Sequence, residues 1–307
     1  MLARLQILSM GLMTAIALGW AGVWWHLGAP LVALSGVAVV ATAFLWVLSL
    51  QFVLMALTNR AHHVPREGVA IVLKAWAVEV LTAICVFGWR QPFRSRAVAD
   101  VPGRPGQRGI VFIHGYVCNR GIWNPWLRWC AREGVPCTAV NLEPVFSSLD
   151  AYSPIVDRAV REMQASTGLA PLIVCHSMGG LVARHWLATA TAASSRAHHI
   201  ITIGSPHHGT WLARLSRTIN SRQMRLRSHW VSTLAAGEAR RHALFTCFYS
   251  HCDNIVFPAE VATLRQADNR RVRGVAHVAM AYHPEVRNEV ARQLARDTVA
   301  AEAAALK

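Results

Sequence analysis

Residues 172–184 read Leu-Ile-Val-Cys-His-Ser-Met-Gly-Gly-Leu-Val-Ala-Arg. A short apolar run meets Ser177 between small residues, and a helical pattern follows at once. Strand, sharp turn and helix in that order lift a serine hydroxyl to the top of a sheet as a nucleophile. The turn strains the serine backbone, so its neighbours must be small. Gly179 and Gly180 meet that need downstream; upstream stands Cys175, small but not glycine. A serine hydroxyl is a poor nucleophile near neutral pH, so a base must take its proton and a further group must orient the base.

Partners for Ser177 lie further along the chain. An apolar, aromatic run from Leu244 to Tyr249 leads into Ser-His-Cys-Asp-Asn-Ile-Val-Phe-Pro, which places Asp253 just past a strand. A last strand is expected over 272–277, ending on His277. Upstream, Gly-Ile-Val-Phe-Ile-His-Gly-Tyr at 109–116 is a buried-strand pattern closing in a His114-Gly115-Tyr116 turn. In a serine hydrolase such a turn supplies one backbone N–H of an oxyanion hole, here from Tyr116 or Val117. The second donor is the N–H of Met178, next to the nucleophile. Each candidate follows a strand, at the carboxyl edge where open α/β sheets place their sites.

Each role has a competitor. Asp253-Asn254 is also good turn chemistry. His251 and His283 compete with His277, but His283 precedes Pro284 and reads as the start of the last helix. His207 and His208 lack a nearby carboxylate, which favours a structural loop over a metal site. No cofactor and no metal is expected.

With these pieces in place, the stretch from about 108 to 300 resembles the lipase and esterase branch of the α/β-hydrolase superfamily. The residues that carry the likeness are His114-Gly115-Tyr116, His176-Ser177-Met178-Gly179-Gly180, Ser205-Pro206-His207-His208-Gly209-Thr210, Asp253-Asn254-Ile255-Val256 and Gly274-Val275-Ala276-His277. Ser177, Asp253 and His277 also stand in that superfamily's chain order of nucleophile, acid and base. One departure is Cys175 at the first glycine of the elbow; some bacterial lipases that the chain resembles carry Ala there. The resemblance implies an α/β-hydrolase fold, a mostly parallel sheet flanked by helices, and an acyl-enzyme mechanism. Helices are expected over 151–168, 178–190 and 284–300, and their alternation with strands agrees with a parallel sheet.

The first third of the chain is different. Residues 5–25 and 31–57 are almost wholly apolar, each long enough to span a bilayer as a helix. A short connection at 26–30 makes them a transmembrane helical hairpin, with Trp20, Trp24, Trp25 and Trp46 suited to membrane interfaces. Residues 68–89 are apolar but contain Lys74 and Glu79, so they read as a third span, a re-entrant piece or an interfacial helix. Arg4 before the hairpin, and Arg60, Arg66, Arg90, Arg94 and Arg96 after it, place both ends inside. The expectation is an integral protein of a bacterial inner membrane with its catalytic domain cytoplasmic. Seven cysteines form no tidy disulfide framework, in keeping with a reducing compartment. Residues 1–90 then form a membrane-anchoring region, 91–108 a Pro-, Gly- and Arg-containing linker, and 109–307 a catalytic domain.

The formal net charge of +15 comes almost entirely from arginine, lysine occurring only at 74 and 307. No basic motif with interleaved aromatics sits on a binding fold, so no nucleic-acid partner is expected; membrane lipids are the simpler partner for the charge. The stretch 211–242 is dense in arginine and lies where relatives insert a lid. Leu212, Leu215, Leu226, Trp230, Val231 and Leu234 there could line an acyl pocket or simply pack helices. The expected function is hydrolysis of an ester or lipid substrate; a short-chain esterase, thioesterase or acyltransferase would use the same three residues, and a non-catalytic membrane module would not need them.

Overall fold

The structure, a computed structural model, describes residues 1–236 and 239–305. Of the expected lid, residues 237 and 238 lie outside the described residues, as do the side chains of Arg240 and Arg241.

Helices α1 (Leu2–His26) and α2 (Pro30–Ala61) form an antiparallel hairpin. Their register is set where the Trp20 indole donates to Val32 O at 2.9 Å and lies against Gly36. Helix α3 (Val69–Phe93) follows, with a π-helical stretch at Ile84–Arg90. Among the described residues these three helices are long and apolar enough to cross a membrane. At equal rise along both helices, the hairpin register brings Gln6 level with the turn that holds Ser49. Helix α3 touches both: Trp76 Nε1 donates to Ser49 Oγ at 3.1 Å, and Gln6 Nε2 donates to Gln91 Oε1 at 3.0 Å. Residues 76 and 91 are separated by about 22 Å of helix. A helix lying alongside the hairpin would offset its two contacts by that length, so α3 crosses the hairpin steeply.

The remainder is one six-stranded, all-parallel sheet flanked by helices. In chain order come β1 (Ile110–Ile113), α4 (Asn124–Glu133), β2 (Cys137–Ala139), α5 (Ser153–Thr167), β3 (Leu172–His176), α6 (Met178–Thr189) and β4 (His199–Ile203). After them come α7 (Ile219–Gln223), α8 (His229–Ala236), β5 (Phe245–Tyr249), β6 (Asp268–Arg271), α9 (His277–Met280) and α10 (Pro284–Ala305). The sheet order is β2-β1-β3-β4-β5-β6. Strands β1 and β3 are buried along their whole length, which is why they read as unbroken apolar runs. Val156, Val160, Leu181 and Trp186 of α5 and α6 cover one face of the sheet. Trp126, Leu127, Val286 and Val290 of α4 and α10 cover the other.

The last strand departs from expectation. It spans Asp268–Arg271, and His277 opens the short helix α9 beyond a turn at Gly274. The pattern hid this because β6 is an exposed edge strand of Asp, Asn and two Arg, with no apolar period to read. Residues 94–108 run past the β2 edge: Val101 and Cys137 exchange both backbone hydrogen bonds, at 3.0 and 2.9 Å. A third apolar cluster joins the helices to the sheet domain. Phe52 and Met55 of α2 and Ala75 of α3 pack on Cys252, Phe257 and Ala276.

Candidate active site

Parallel pairing sets the geometry. Ile113 lies opposite Cys175, so the His114-Gly115-Tyr116 turn after β1 emerges beside the Ser177 turn after β3. The Gly115 backbone packs so closely that a Cβ there would stand 2.7 Å from Ser177 Cβ. Ser177 has φ 55° and ψ −127°, a conformation that a non-glycine residue holds only under constraint. Its N–H donates to Ile203 O at 2.9 Å, and its carbonyl accepts from Gly180 N at 3.1 Å. Gly179 and Gly180 open α6 as the motif requires. Cys175 is buried under the elbow, and burial pushes its thiol well above the ordinary range, so it stays a protonated packing group.

Asp253 follows β5 and is 2% exposed. Its Oδ1 accepts the N–H groups of Ile255 at 2.9 Å and Val256 at 2.8 Å, the side-chain turn that Asp-Asn chemistry suggested. The same carboxylate meets His277 Nδ1, at 2.9 Å from Oδ1 and 3.0 Å from Oδ2. Burial opposes protonation of the His277 ring. Asp253 outweighs it, through charge and hydrogen bond, with Glu79 adding to the effect, and the pKa lies above the usual imidazole range. The His176 ring lies 4.6 Å from that of His277, and His176 Nε2 donates to His277 O at 3.1 Å. Burial, then the charge of His277, holds His176 well below the usual imidazole range, so it stays neutral. Among the described residues no hydrogen bond joins Ser177 Oγ to His277. Such bonds often tighten only around a substrate.

Gly204, which directly follows β4, sits where these groups converge. Its φ is +56°, and a Cβ there would lie 2.8 Å from Asp253 Oδ2 and 3.1 Å from His277 Nδ1. No sequence motif marks this glycine.

The N–H groups of Tyr116 and Met178 have no protein acceptor among the described residues. Val117, just beyond Tyr116, has φ 51°. His114 holds this turn from below: Leu142 N donates to its Nε2 at 3.0 Å, which leaves Nδ1 as the donor to Gly115 O at 2.9 Å. Burial lowers the His114 pKa to about 4, so the ring is neutral and keeps that tautomer. The Tyr116 hydroxyl lies 3.2 Å from Ser216 Oγ and 3.0 Å from Thr218 Oγ1, tying the turn to the segment before α7.

Ser177 lines a mainly apolar cleft of about 280 Å³, with Tyr116, Leu212, Leu215, Met224, Ile255 and Gln51 among its walls. Of the six apolar residues considered for an acyl pocket, Leu212 and Leu215 line this cleft. The others pack elsewhere. Trp230 lies against His185 and donates to Asp150 Oδ1 at 2.8 Å, Val231 and Leu234 are buried, and Leu226 packs beside Val256. His207 is buried with Nε2 3.0 Å from Thr202 Oγ1, and its carbonyl accepts from Arg184 at 2.7 Å. His283 directly precedes α10, its carbonyl accepting from Val286 N, and the His251 carbonyl accepts from Asn59 of α2.

Three residues of the N-terminal helices, Gln51, Asn59 and Glu79, and Asn254 of the loop after β5 were given no part by the sequence. Asn254 Nδ2 donates to Gln51 Oε1 at 2.8 Å, and Asn254 Oδ1 accepts from His277 N at 3.3 Å. Asn59 Oδ1 accepts from Ala259 N at 3.1 Å. Glu79 accepts from Val278 N at 2.8 Å and Ala279 N at 3.0 Å. For Gln51, Asn59 and Glu79 the signal was polarity inside apolar helices.

Residues 155–296 match the family of the PGAP1-like alpha/beta domain. Among solved structures, the chain resembles the mature form of Bacillus licheniformis lipase BlEst2 with a TM-score of 0.55 at 16% identity, over 62% of this chain and 94% of that one. It resembles Aspergillus fumigatus lipase B with a TM-score of 0.51 at 19% identity, over 59% of this chain and 51% of that one. No curated protein matches the sequence. The fold is that of the α/β-hydrolases, and the sheet domain is preceded by three long apolar helices.

Proposed function

We propose that the protein is a membrane-anchored serine hydrolase that cleaves carboxylic esters of lipid-like substrates. The observation that carries this reading is the strained Ser177 at an apolar cleft, beside a buried His277–Asp253 pair. In the proposed reaction Ser177 Oγ attacks the ester carbonyl while His277 Nε2 takes the hydroxyl proton. Asp253 holds the imidazole with Nδ1–H towards itself and stabilises the imidazolium. The N–H groups of Tyr116 and Met178 receive the oxyanion, each such donor contributing roughly 3 kcal/mol. His277 returns the proton to the departing alcohol. Water then attacks the acyl-enzyme by the same path, releasing the acid and restoring Ser177.

The preference for lipids rests on where the cleft lies. Counting from Pro30, the hydrocarbon thickness of a bilayer takes about 20 residues of α2. That puts Gln51, which lines the cleft, at the membrane edge. Helices α1 and α2 are the two spans in this reading, with Arg4, Arg60 and Arg66 on the cytoplasmic side. Helix α3 lies in the interface: it crosses the hairpin steeply, turning Lys74 outward and Glu79 inward.

The test is hydrolysis of p-nitrophenyl esters from acetate to palmitate by the full chain in detergent, with Ser177→Ala beside it. The reading expects hydrolysis that Ser177→Ala abolishes, with long chains preferred. Preference for acetate would make it a short-chain esterase. Folded wild type that neither turns over nor reacts with a fluorophosphonate probe would refute the serine-hydrolase reading.

A further inference from the structure

Glu79 lies in the middle of an apolar helix and is 1% exposed. An acidic side chain in such a helix is unfavourable unless protein groups satisfy it. Here both carboxylate oxygens are engaged, Oε1 with Val278 N at 2.8 Å and Oε2 with Ala279 N at 3.0 Å. These are the two amides that directly follow His277. Ala75 and Ala83, one turn to either side of Glu79, are buried and small, which lets the α3 backbone approach α9.

The turn carrying His277 is held at every other point too. Its own N–H donates to Asn254 Oδ1 at 3.3 Å, and Asn254 is held by Gln51 of α2. Its carbonyl accepts from His176, and its Nδ1 faces Asp253. The three consecutive amides at 277–279 therefore end on side chains, and none enters a strand ladder. With no strand leading into it, this turn takes its position from those side chains.

We infer that Glu79 is a positioning residue for His277: its carboxylate fixes the backbone that carries the proposed general base and sets a negative charge beside the ring. The anchoring helix α3 is thereby part of the site. The inference rests on the serine-hydrolase reading above. The charged and titratable groups that face His277 are Asp253 from the loop after β5, His176 from β3 and Glu79 from α3.

The experiment compares Glu79→Gln and Glu79→Asp with wild type, as full chains in detergent, by steady-state ester hydrolysis across pH and by thermal unfolding. Glutamine keeps one acceptor oxygen, presents an amide N–H₂ to the other backbone donor, and removes the charge. It should lower kcat on the order of 10- to 100-fold with KM little changed, the cost of a slightly misplaced base. It should also move the acid limb of kcat/KM to lower pH, because His277 loses a stabilising anion. Aspartate keeps the charge but reaches less far. It should leave the acid limb near the wild-type position and lower kcat to an intermediate value. Folded variants with wild-type kcat and an unmoved acid limb would overturn the inference. Loss of folded protein in both variants would also count against it, making Glu79 a folding element. Wild-type turnover that Ser177→Ala abolishes, with no effect at Glu79, defeats this inference alone. No turnover or probe labelling in wild type defeats the underlying reading.

Discussion

Gly204→Ala tests whether the end of β4 shapes the site. The residue has φ +56°, where a Cβ raises the backbone energy by about 1–2 kcal/mol. The new methyl would also stand 2.8 Å from Asp253 Oδ2, 3.1 Å from His277 Nδ1 and 3.3 Å from His277 Cε1. None of these is the loose end of a flexible side chain. Asp253 is fixed by two backbone donors, and His277 by its neighbours on both sides. To admit the methyl, the pair must move by several tenths of an ångström. A displacement of about 1 Å at such a site costs on the order of 10²-fold in rate; kcat should therefore fall on the order of 10- to 100-fold. Gly168→Ala separates strain from site geometry. That glycine ends α5 with φ +74° and nothing within 4 Å of a Cβ, so it carries the backbone cost alone. Both variants should unfold at a temperature lower by about 2 to 8 °C on the scaling for a domain of this size. Only Gly204→Ala should lose turnover and fluorophosphonate labelling rate. Equal kcat in the two variants would refute the reasoning.

Asp253→Asn should fold, because Asn retains the oxygen that accepts from Ile255 and Val256, yet lose about 10³- to 10⁴-fold in kcat through the wrong imidazole tautomer. Near-normal turnover would move the acid role elsewhere, Glu260 being the next acidic residue. Because the folded-state pKa of His277 is raised, activity should be lost as pH falls through a value above the ordinary imidazole range, seen as the acid limb of kcat/KM. The contribution of the same group to stability runs the opposite way. It is fully present below the unfolded-state pKa and is lost as pH rises through the raised one, so acid protects this pair while silencing it. A reporter fused after residue 307 should be active only in the cytoplasm. Periplasmic activity would mean that α3 spans the membrane and that the domain faces outward.

The core of the fold was legible because parallel strands covered on both faces leave unbroken apolar runs. Leu172–His176 and Ile110–Ile113 announce themselves, and Ser177 and Tyr116 follow them directly. The strained φ of Ser177 was legible from the small residues around it. What the sequence hid depends on long-range pairing. Strand β6 has no apolar alternation because it is the solvent-exposed edge, so the last strand was expected at 272–277 when it ends at Arg271. His277 still reaches Asp253, carried there by a turn. The part played by Gly204 was invisible for a related reason: nothing local says that Asp253, 49 residues away in sequence, returns to meet its backbone.

The polar residues of the three N-terminal helices were the least legible, because helix periodicity reports which face is buried and not against what. Lys74 and Glu79 together made the 68–89 segment ambiguous as a span, since two charges offset most of its apolar gain. Their positions separate the two charges. Lys74 is exposed and Glu79 is buried on two amides of the sheet domain, on opposite sides of α3. A spanning helix would hold Lys74 in hydrocarbon, whereas a helix lying across the hairpin lets it reach the headgroups while its apolar residues Leu73, Leu81 and Trp89 meet the acyl chains. The same placement gives Glu79 protein donors in place of water. In the proposed reading one geometry thus accounts for both charges, and it sets Gln51, Glu79 and the cleft of Ser177 near one level at the membrane edge.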